Sequence, residues 1–250
     1  MGLRIGIVGL PNVGKSTLFN ALTQQAAQAR NVPFTTIEPN VGVVPVPDER
    51  LEKLTQLSKS EKTVPTTIEF VDIAGLVRNA HKGEGLGNQF LAHIRQVDAV
   101  VHVVRFFELD DVIHVDSTVD PIRDAETINT ELALADLATV DSTSLKLHGA
   151  QKITREDALR LQVRTRVYEQ LSQGKPVRDF VFTKEEQPCV DELHLLTDKP
   201  MLYIANVSET QMQRVHDATR EFVEKVGPVL PLSVKIEQEI VELSEEDKKT

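Results

Sequence analysis

The 250-residue sequence has one cysteine, no run of about 18 apolar residues and no excess of positive charge. Each absence excludes something. A single thiol excludes an internal disulfide framework and suits a reducing compartment. Cys189 follows Pro188 in an expected loop, with no His or Cys neighbour at metal spacing, so a functional thiol is not expected. Without a long apolar run there is no helix to cross a membrane, and the amino terminus enters a strand directly, without the pattern of a signal peptide. A soluble, cytoplasmic protein without membrane contacts is therefore expected. A net charge of -10 and a pI near 5.2 argue against a protein that coats nucleic acid non-specifically, although an acidic average leaves room for one basic face. Internal repeats and low-complexity tracts are also missing. With 40% hydrophobic residues, the chain is long enough to bury one large core or two small ones.

What is present centres on Gly9-Leu10-Pro11-Asn12-Val13-Gly14-Lys15-Ser16-Thr17, between the apolar run Leu3 to Val8 and the apolar positions Leu18, Phe19 and Leu22. This reads as strand, phosphate loop, helix. Glycines at this spacing let the backbone wrap until successive N–H groups face a phosphate chain. Lys15 adds a point charge at the β and γ phosphates, and Ser16 offers a hydroxyl to Mg²⁺. Nucleotide contacts are thus expected from Asn12, Val13, Gly14, Lys15, Ser16 and Thr17.

Farther along, Val41 to Val46 has strand composition, but Pro45 and Pro47 cannot donate to a ladder, which assigns it to a sheet edge. Leu51, Leu54 and Leu57 predict a short amphipathic helix. Thr66 to Val71 is a β-branched strand ending in Asp72-Ile73-Ala74-Gly75, an acidic group where an α/β sheet places its chemistry. Leu76 to Asn88 is rich in glycine and charge, as a ligand-ordered switch would be. Phe90, Leu91 and Ile94 begin a helix, and Ala99 to Val104 is a buried parallel strand in which His102 is expected to be a core residue. A polar loop with His114 leaves its carboxyl end.

From about Asp124 to Thr197 strand signals vanish. Ile128, Leu132 and Ala135, with Leu134, Leu137 and Ala138, predict a helix buried on a broad face. Thr154 is an N-cap, and Ala158, Leu161, Thr165 and Tyr168 follow at heptad spacing, predicting an antiparallel helical pair. Arg155, Arg160, Arg164 and Arg166, with Lys146 and Lys152, make this the most basic part of the chain, a solvated face or a ribosome or RNA contact. Strands then return at Met201 to Ala205 and, with Pro231 marking an edge, at Val229 to Val234. Ser244-Glu245-Glu246-Asp247 announces a helix three residues before the sequence stops, so a truncated chain is expected.

Phosphoryl transfer needs positioning and charge neutralisation more than covalent chemistry. Ser16 and Asp72 would hold Mg²⁺ from opposite sides, with a hydroxyl from Thr35 or Thr36, either of which the chemistry allows. The Gly75 N–H would meet a γ-phosphate, whose loss would release the segment from Leu76 onward.

These stretches, with Pro33-Phe34-Thr35-Thr36, Asp72-Ile73-Ala74-Gly75-Leu76-Val77 and Lys82-Gly83-Glu84-Gly85-Leu86-Gly87-Asn88, resemble the Obg family of P-loop NTPases, and more narrowly its YchF branch, over essentially all 250 residues. The resemblance implies an α/β fold. In it, a Ras-like domain with a mostly parallel sheet and one antiparallel edge strand (1–123 and 198–250) carries an inserted helical, coiled-coil domain (124–197). It places the magnesium threonine on Thr36, implies ATP as substrate and a ribosome or its RNA as partner through the helical domain, and implies a TGS domain beyond this chain's end.

GTPases of this class read guanine with Asn-Lys-x-Asp, where this chain has Asn206-Val207-Ser208-Glu209. Valine replaces the lysine along the base, and the longer Glu209 breaks the bidentate acceptor geometry, so adenine is expected over guanine through Asn206 and backbone groups. Leu76 stands where Ras-like enzymes carry the glutamine that orients water. Turnover is therefore expected to be slow, with His114 as the candidate for that orientation. Asn12 is a candidate for helping to hold K⁺, whose charge would replace an arginine finger. The expected protein is a monomeric, slowly hydrolysing ATP switch. The alternative is a nucleotide-dependent binding module, or a GTPase, in which hydrolysis is incidental; a small-molecule kinase lacks an acceptor pocket and leaves Asp72-x-x-Gly75 unexplained.

Overall fold

The structure, a computed structural model, describes residues 2–28, 41–73, 86–108, 118–147, 154–243 and 247. Six strands, β1 (Leu3–Val8), β2 (Val41–Pro45), β3 (Thr67–Asp72), β4 (Ala99–Arg105), β5 (Met201–Asn206) and β6 (Val229–Leu232), form one sheet in the order β2-β3-β1-β4-β5-β6. β2 runs antiparallel to β3, and every other pairing is parallel. Of the three prolines expected at edges, Pro45 lies in β2 and Pro231 in β6, where a missing N–H donor costs no ladder bond, while Pro47 lies just beyond β2. β4 is buried almost throughout because parallel crossovers cover both faces of a central strand.

The helices are α1 (Lys15–Gln28), α2 (Glu49–Ser58), α3 (Leu86–Arg95), α4 (Pro121–Leu147), α5 (Arg155–Ser172), α6 (Gln187–Asp191), α7 (Glu209–Met212), α8 (Val215–Lys225) and α9 (Val234–Glu242). One core joins Ile7, Val8 and Leu18 to Ile94, Val101, Ile128 and Leu132. A second, aromatic cluster on the sheet edge sets Phe222 edge-on to Phe106 (5.5 Å) and Tyr203 (5.6 Å). A third joins Val140 of α4 to Val163, Val167 and Leu171 of α5. All three cores share α4: Ile128, Leu132 and Ala135 belong to the first, Ala125 to the aromatic cluster, and Ala133 and Val140 to the third, with α5. The boundary at 124 expected from composition falls inside this helix, three residues after its first.

Two expectations for the helical region change. Thr154 caps α5 as expected, in a capping box with Asp157, but the buried stripe is Val163, Val167 and Leu171. Of the heptad positions, Ala158, Thr165 and Tyr168 are exposed and Leu161 is half-buried. A stripe spaced by four forms an i±4 ridge, and valine and leucine gain more by leaving water than Thr165 or the phenol of Tyr168 would. Cys189 lies in α6, whose first turn accommodates Pro188, and is half-buried against that core.

Besides the short α6 and α7, the longer helix α9 has no counterpart in the sequence-based expectations. The composition predicts a strand through Val234, whereas β6 ends at Leu232 and α9 begins two residues later. The signal was present: Val234 and Val241 lie seven apart, Ile236 and Ile240 four apart, and both valines are buried. The helix expected from Ser244 lies outside the described residues.

Candidate nucleotide site

The phosphate loop is a backbone conformation before it is a binding site. Gly9 has φ +156° and Gly14 φ +99°. A Cβ at Gly9 would come within 2.5 Å of the Val103 carbonyl oxygen, and one at Gly14 would run into the Asn206 amide. Asn12 is left-handed too (φ 62°), a conformation asparagine tolerates better than most residues. The loop closes when the Leu18 N–H donates to the Gly14 carbonyl (3.0 Å), starting α1.

Lys15 opens α1, is 8% exposed, and donates from Nζ to the Leu10 carbonyl (2.7 Å). Burial pulls its pKa down to about 8, a shift that the negative charge of Asp72 partly opposes. Next to it, Ser16 Oγ donates to Asp72 Oδ2 (3.0 Å), joining the start of α1 to the carboxyl end of β3. This hydroxyl–carboxylate pair is a set of hard oxygen donors, the chemistry that suits Mg²⁺. Ser16 is exposed and Asp72 half-buried, so both oxygens are within reach of a ligand.

Asn206, at the end of β5, is a clamp between the phosphate loop and α9. Its Nδ2 donates to the Val13 carbonyl (2.9 Å) and its Oδ1 accepts from the Val234 N–H (3.2 Å), tying the phosphate loop to the first residue of α9. Beside it opens a cavity of about 460 Å³ lined by Gly14, Thr17, Phe107, Asn206, Val207 and Glu209, with the first turns of α9 as a further wall. A nucleoside fits a pocket of this size. Val207 is almost fully buried, packed with Phe106 and Phe222, so the residue standing where guanine-reading loops carry lysine is part of the apolar core. Ser208 is the N-cap of α7, in a capping box with Gln211, and Glu209 is exposed at the pocket rim.

The structure thus brings Asn12, Val13, Gly14, Lys15, Ser16, Thr17 and Asp72 together along one edge of the sheet, with Asn206, Val207 and Glu209 adjoining. Thr36, Gly75, Leu76 and His114 lie outside the described residues. His102 pairs with Val8 across the β1–β4 ladder and packs against Tyr203 (ring centres 5.3 Å apart). Burial, then the charges of Arg178 and Lys15, lower its pKa to about 3, so it is a neutral core histidine. Phe107, Glu108 and the α9 wall escaped the sequence reading, since a pocket lining made by three elements has no linear signature.

The basic face of the helical region is less free than its sequence implies. Arg160 pairs with Glu156 (2.9 Å) and Glu192 (3.0 Å), and Arg166 pairs with Glu186 (3.2 Å) while lying over the Phe182 ring. Among the described residues no helix is long and apolar enough to cross a membrane.

Residues 4–136 match the 50S ribosome-binding GTPase family. The chain is 51% identical to the ribosome-binding ATPase YchF of Bacillus subtilis over 257 residues, covering 99% of this chain and 70% of that protein. Against the protein of that name from Escherichia coli O157:H7 it is 49% identical over 252 residues, covering 99% of this chain and 69% of the other. Among solved structures, the Schizosaccharomyces pombe YchF GTPase superposes with a TM-score of 0.84 at 35% identity, over 98% of this chain and 69% of that one.

Proposed function

Since the chain belongs to the YchF family of P-loop NTPases, we propose that it binds ATP with Mg²⁺, hydrolyses it slowly, and uses the two nucleotide states to regulate its association with the ribosome. The nucleoside triphosphate hydrolase activity comes with the family. The choice of base rests mainly on the pocket beside Asn206. With Val207 buried in the core, the position that carries lysine in guanine-reading loops offers none to the base, and Glu209 stands at the rim on a longer stem than an aspartate. Guanine therefore loses its bidentate acceptor, whereas adenine needs only Asn206 and backbone groups. Titration with ATP and GTP tests this; a clear preference for GTP would overturn it.

In this reading Lys15 holds the β and γ phosphates, and Ser16, Asp72 and Thr36 hold the metal, which when bound neutralises charge developing on the phosphate oxygens. Gly75 donates its N–H to the γ-phosphate. Leu76 cannot hydrogen-bond to water, so His114 is assigned to orient it. Single-turnover hydrolysis by His114→Ala, at unchanged ATP affinity, should be slower; an unaltered rate removes His114 from the mechanism. Asn12 is assigned to a K⁺ site, and equal rates in potassium and sodium buffers would dismiss it.

The ribosome is the partner that the relatives' names suggest, with a monomeric, cytoplasmic protein as the acting form and the helical segment as its arm. Because Arg160 and Arg166 are paired with carboxylates, that arm would engage through shape and its remaining cations. Copurification with ribosomes in the ADP state and with a non-hydrolysable ATP analogue tests this part. A second reading, a nucleotide-dependent binding module or a GTPase with incidental hydrolysis, draws on Leu76. Ribosome affinity that follows nucleotide state but ignores turnover would favour the module, and tighter binding of GTP the GTPase.

A further inference from the structure

The pocket beside Asn206 has one wall fixed from inside the sheet. Arg105 ends β4, level with Asn206 in the β4–β5 register, and is only 1% exposed. A buried guanidinium is costly unless its donors and charge are engaged. Its Nε donates to the Phe107 carbonyl (3.0 Å), and its guanidinium carbon lies 4.5 Å from the centre of the Phe107 ring. Burial lowers its pKa, and the charge of Asp124, in the first turn of α4, opposes that. Asp124 is itself buried and paired with Arg123 (3.0 Å). The neighbouring backbone is held as well: the Phe106 N–H donates to the Asn206 carbonyl (2.9 Å), and the Phe106 carbonyl accepts from Gln211 Nε2 (2.8 Å).

Phe107 is thereby pinned through its carbonyl and through one face of its ring, and it lines the 460 Å³ pocket. An aromatic ring so fixed presents a preorganised apolar surface to a planar ligand. Arg105 itself lies behind that ring. We propose that Arg105 is a positioning residue for the nucleobase, acting through Phe107 and contributing nothing to the phosphate end of the ligand. This rests on the nucleotide reading above and adds to it the residue that sets the pocket wall.

The test separates base from phosphate. Binding of ADP and of inorganic tripolyphosphate, each with Mg²⁺, is measured for the wild type, Arg105→Lys, Phe107→Leu and the double variant. Arg105→Lys keeps the charge but loses the planar fork and its stacking, and should weaken ADP by about tenfold while leaving tripolyphosphate unchanged. In the Phe107→Leu background the same change should cost no more than about twofold, because the route of action is already gone. Equal weakening of both ligands, or additive effects in the double variant, overturns the proposal. If Arg105→Lys fails to fold, Phe107→Leu, which alters a half-exposed residue, still decides: unchanged ADP affinity there overturns it. Should the wild type bind tripolyphosphate but not ADP, the nucleotide reading falls first, and this inference with it.

Discussion

Nucleotide affinity should fall as pH rises from 7 to 9, and the cause is one ammonium group. Burial brings the Lys15 pKa to about 8 in the free protein, so its charge is nearly complete at pH 7 and mostly lost at pH 9. A bound polyphosphate beside Nζ favours the charged form and returns the pKa to its ordinary value or above. Binding then carries a proton. The apparent dissociation constant scales with one plus the ratio of neutral to charged lysine in the free protein, which grows by about tenfold over this interval, equivalent to about 1.4 kcal/mol. At pH 8 about half a proton should be taken up for each ADP bound. Calorimetric titration with ADP and Mg²⁺, in buffers of different ionisation enthalpy, reads both quantities. ADP suits the assay because its terminal phosphate is already ionised there. Lys15→Arg provides the control, since a guanidinium keeps its charge up to about pH 12 and its affinity, whatever its level, should not vary with pH. Constant wild-type affinity between pH 7 and 9, or binding without proton uptake, would show that the buried lysine is not the controlling charge. The linkage has a second face: the unfolded chain, with lysine at its ordinary pKa, holds more protons than the folded one between pH 8 and 10.5, so Lys15's contribution to apo stability rises across that window.

Gly14→Ala forces a side chain at φ +99° into the Asn206 amide, so ADP affinity should drop by about tenfold or more and the melting temperature should fall; unchanged affinity would detach the clamp from binding. Asp136, fully buried on α4, accepts from the N–H groups of Leu196 and Thr197 and from the Thr197 hydroxyl, so Asp136→Ala should cost about 3 kcal/mol in urea unfolding, and a loss near zero would mean those donors find other partners. His102 has a folded pKa of about 3 against 6.5 unfolded, so the unfolded state takes up the proton first and stability is lost as pH falls through that interval. Between pH 7 and pH 5 the wild type should lose about 2 kcal/mol more than His102→Leu, and parallel profiles would contradict the assignment.

Features encoded within a few consecutive residues were legible in the sequence. The phosphate loop, Asp72 at the end of β3, the edge positions of Pro45 and Pro231, and the Thr154 cap each follow from a local rule about backbone or polarity. Features made by distant segments were not. Nothing near Asn206 announces that its amide will join Val13 to Val234, and nothing near Phe107 announces a guanidinium behind its ring. The α5 stripe was not legible because Val163, Val167 and Leu171 repeat at a helical period as regular as that of Ala158, Leu161, Thr165 and Tyr168 on another face, and only the partner surface chooses between the two faces. The arginines of that helix likewise seemed available until Glu186 and Glu192, far along the chain, arrived beside them.

The passage of α4 through three cores has a consequence for any attempt to take the molecule apart. Removing 124–197 as a cassette would also strip Ile128, Leu132, Ala135 and Leu196 from the main core and Ala125 from the aromatic one, leaving holes where those apolar side chains had been. Replacing α5 and its neighbours while keeping α4 would uncover Ala133 and Val140 instead. The arm and the nucleotide-binding body share one structural beam, so neither can be grafted elsewhere without a substitute for the other's half of that helix.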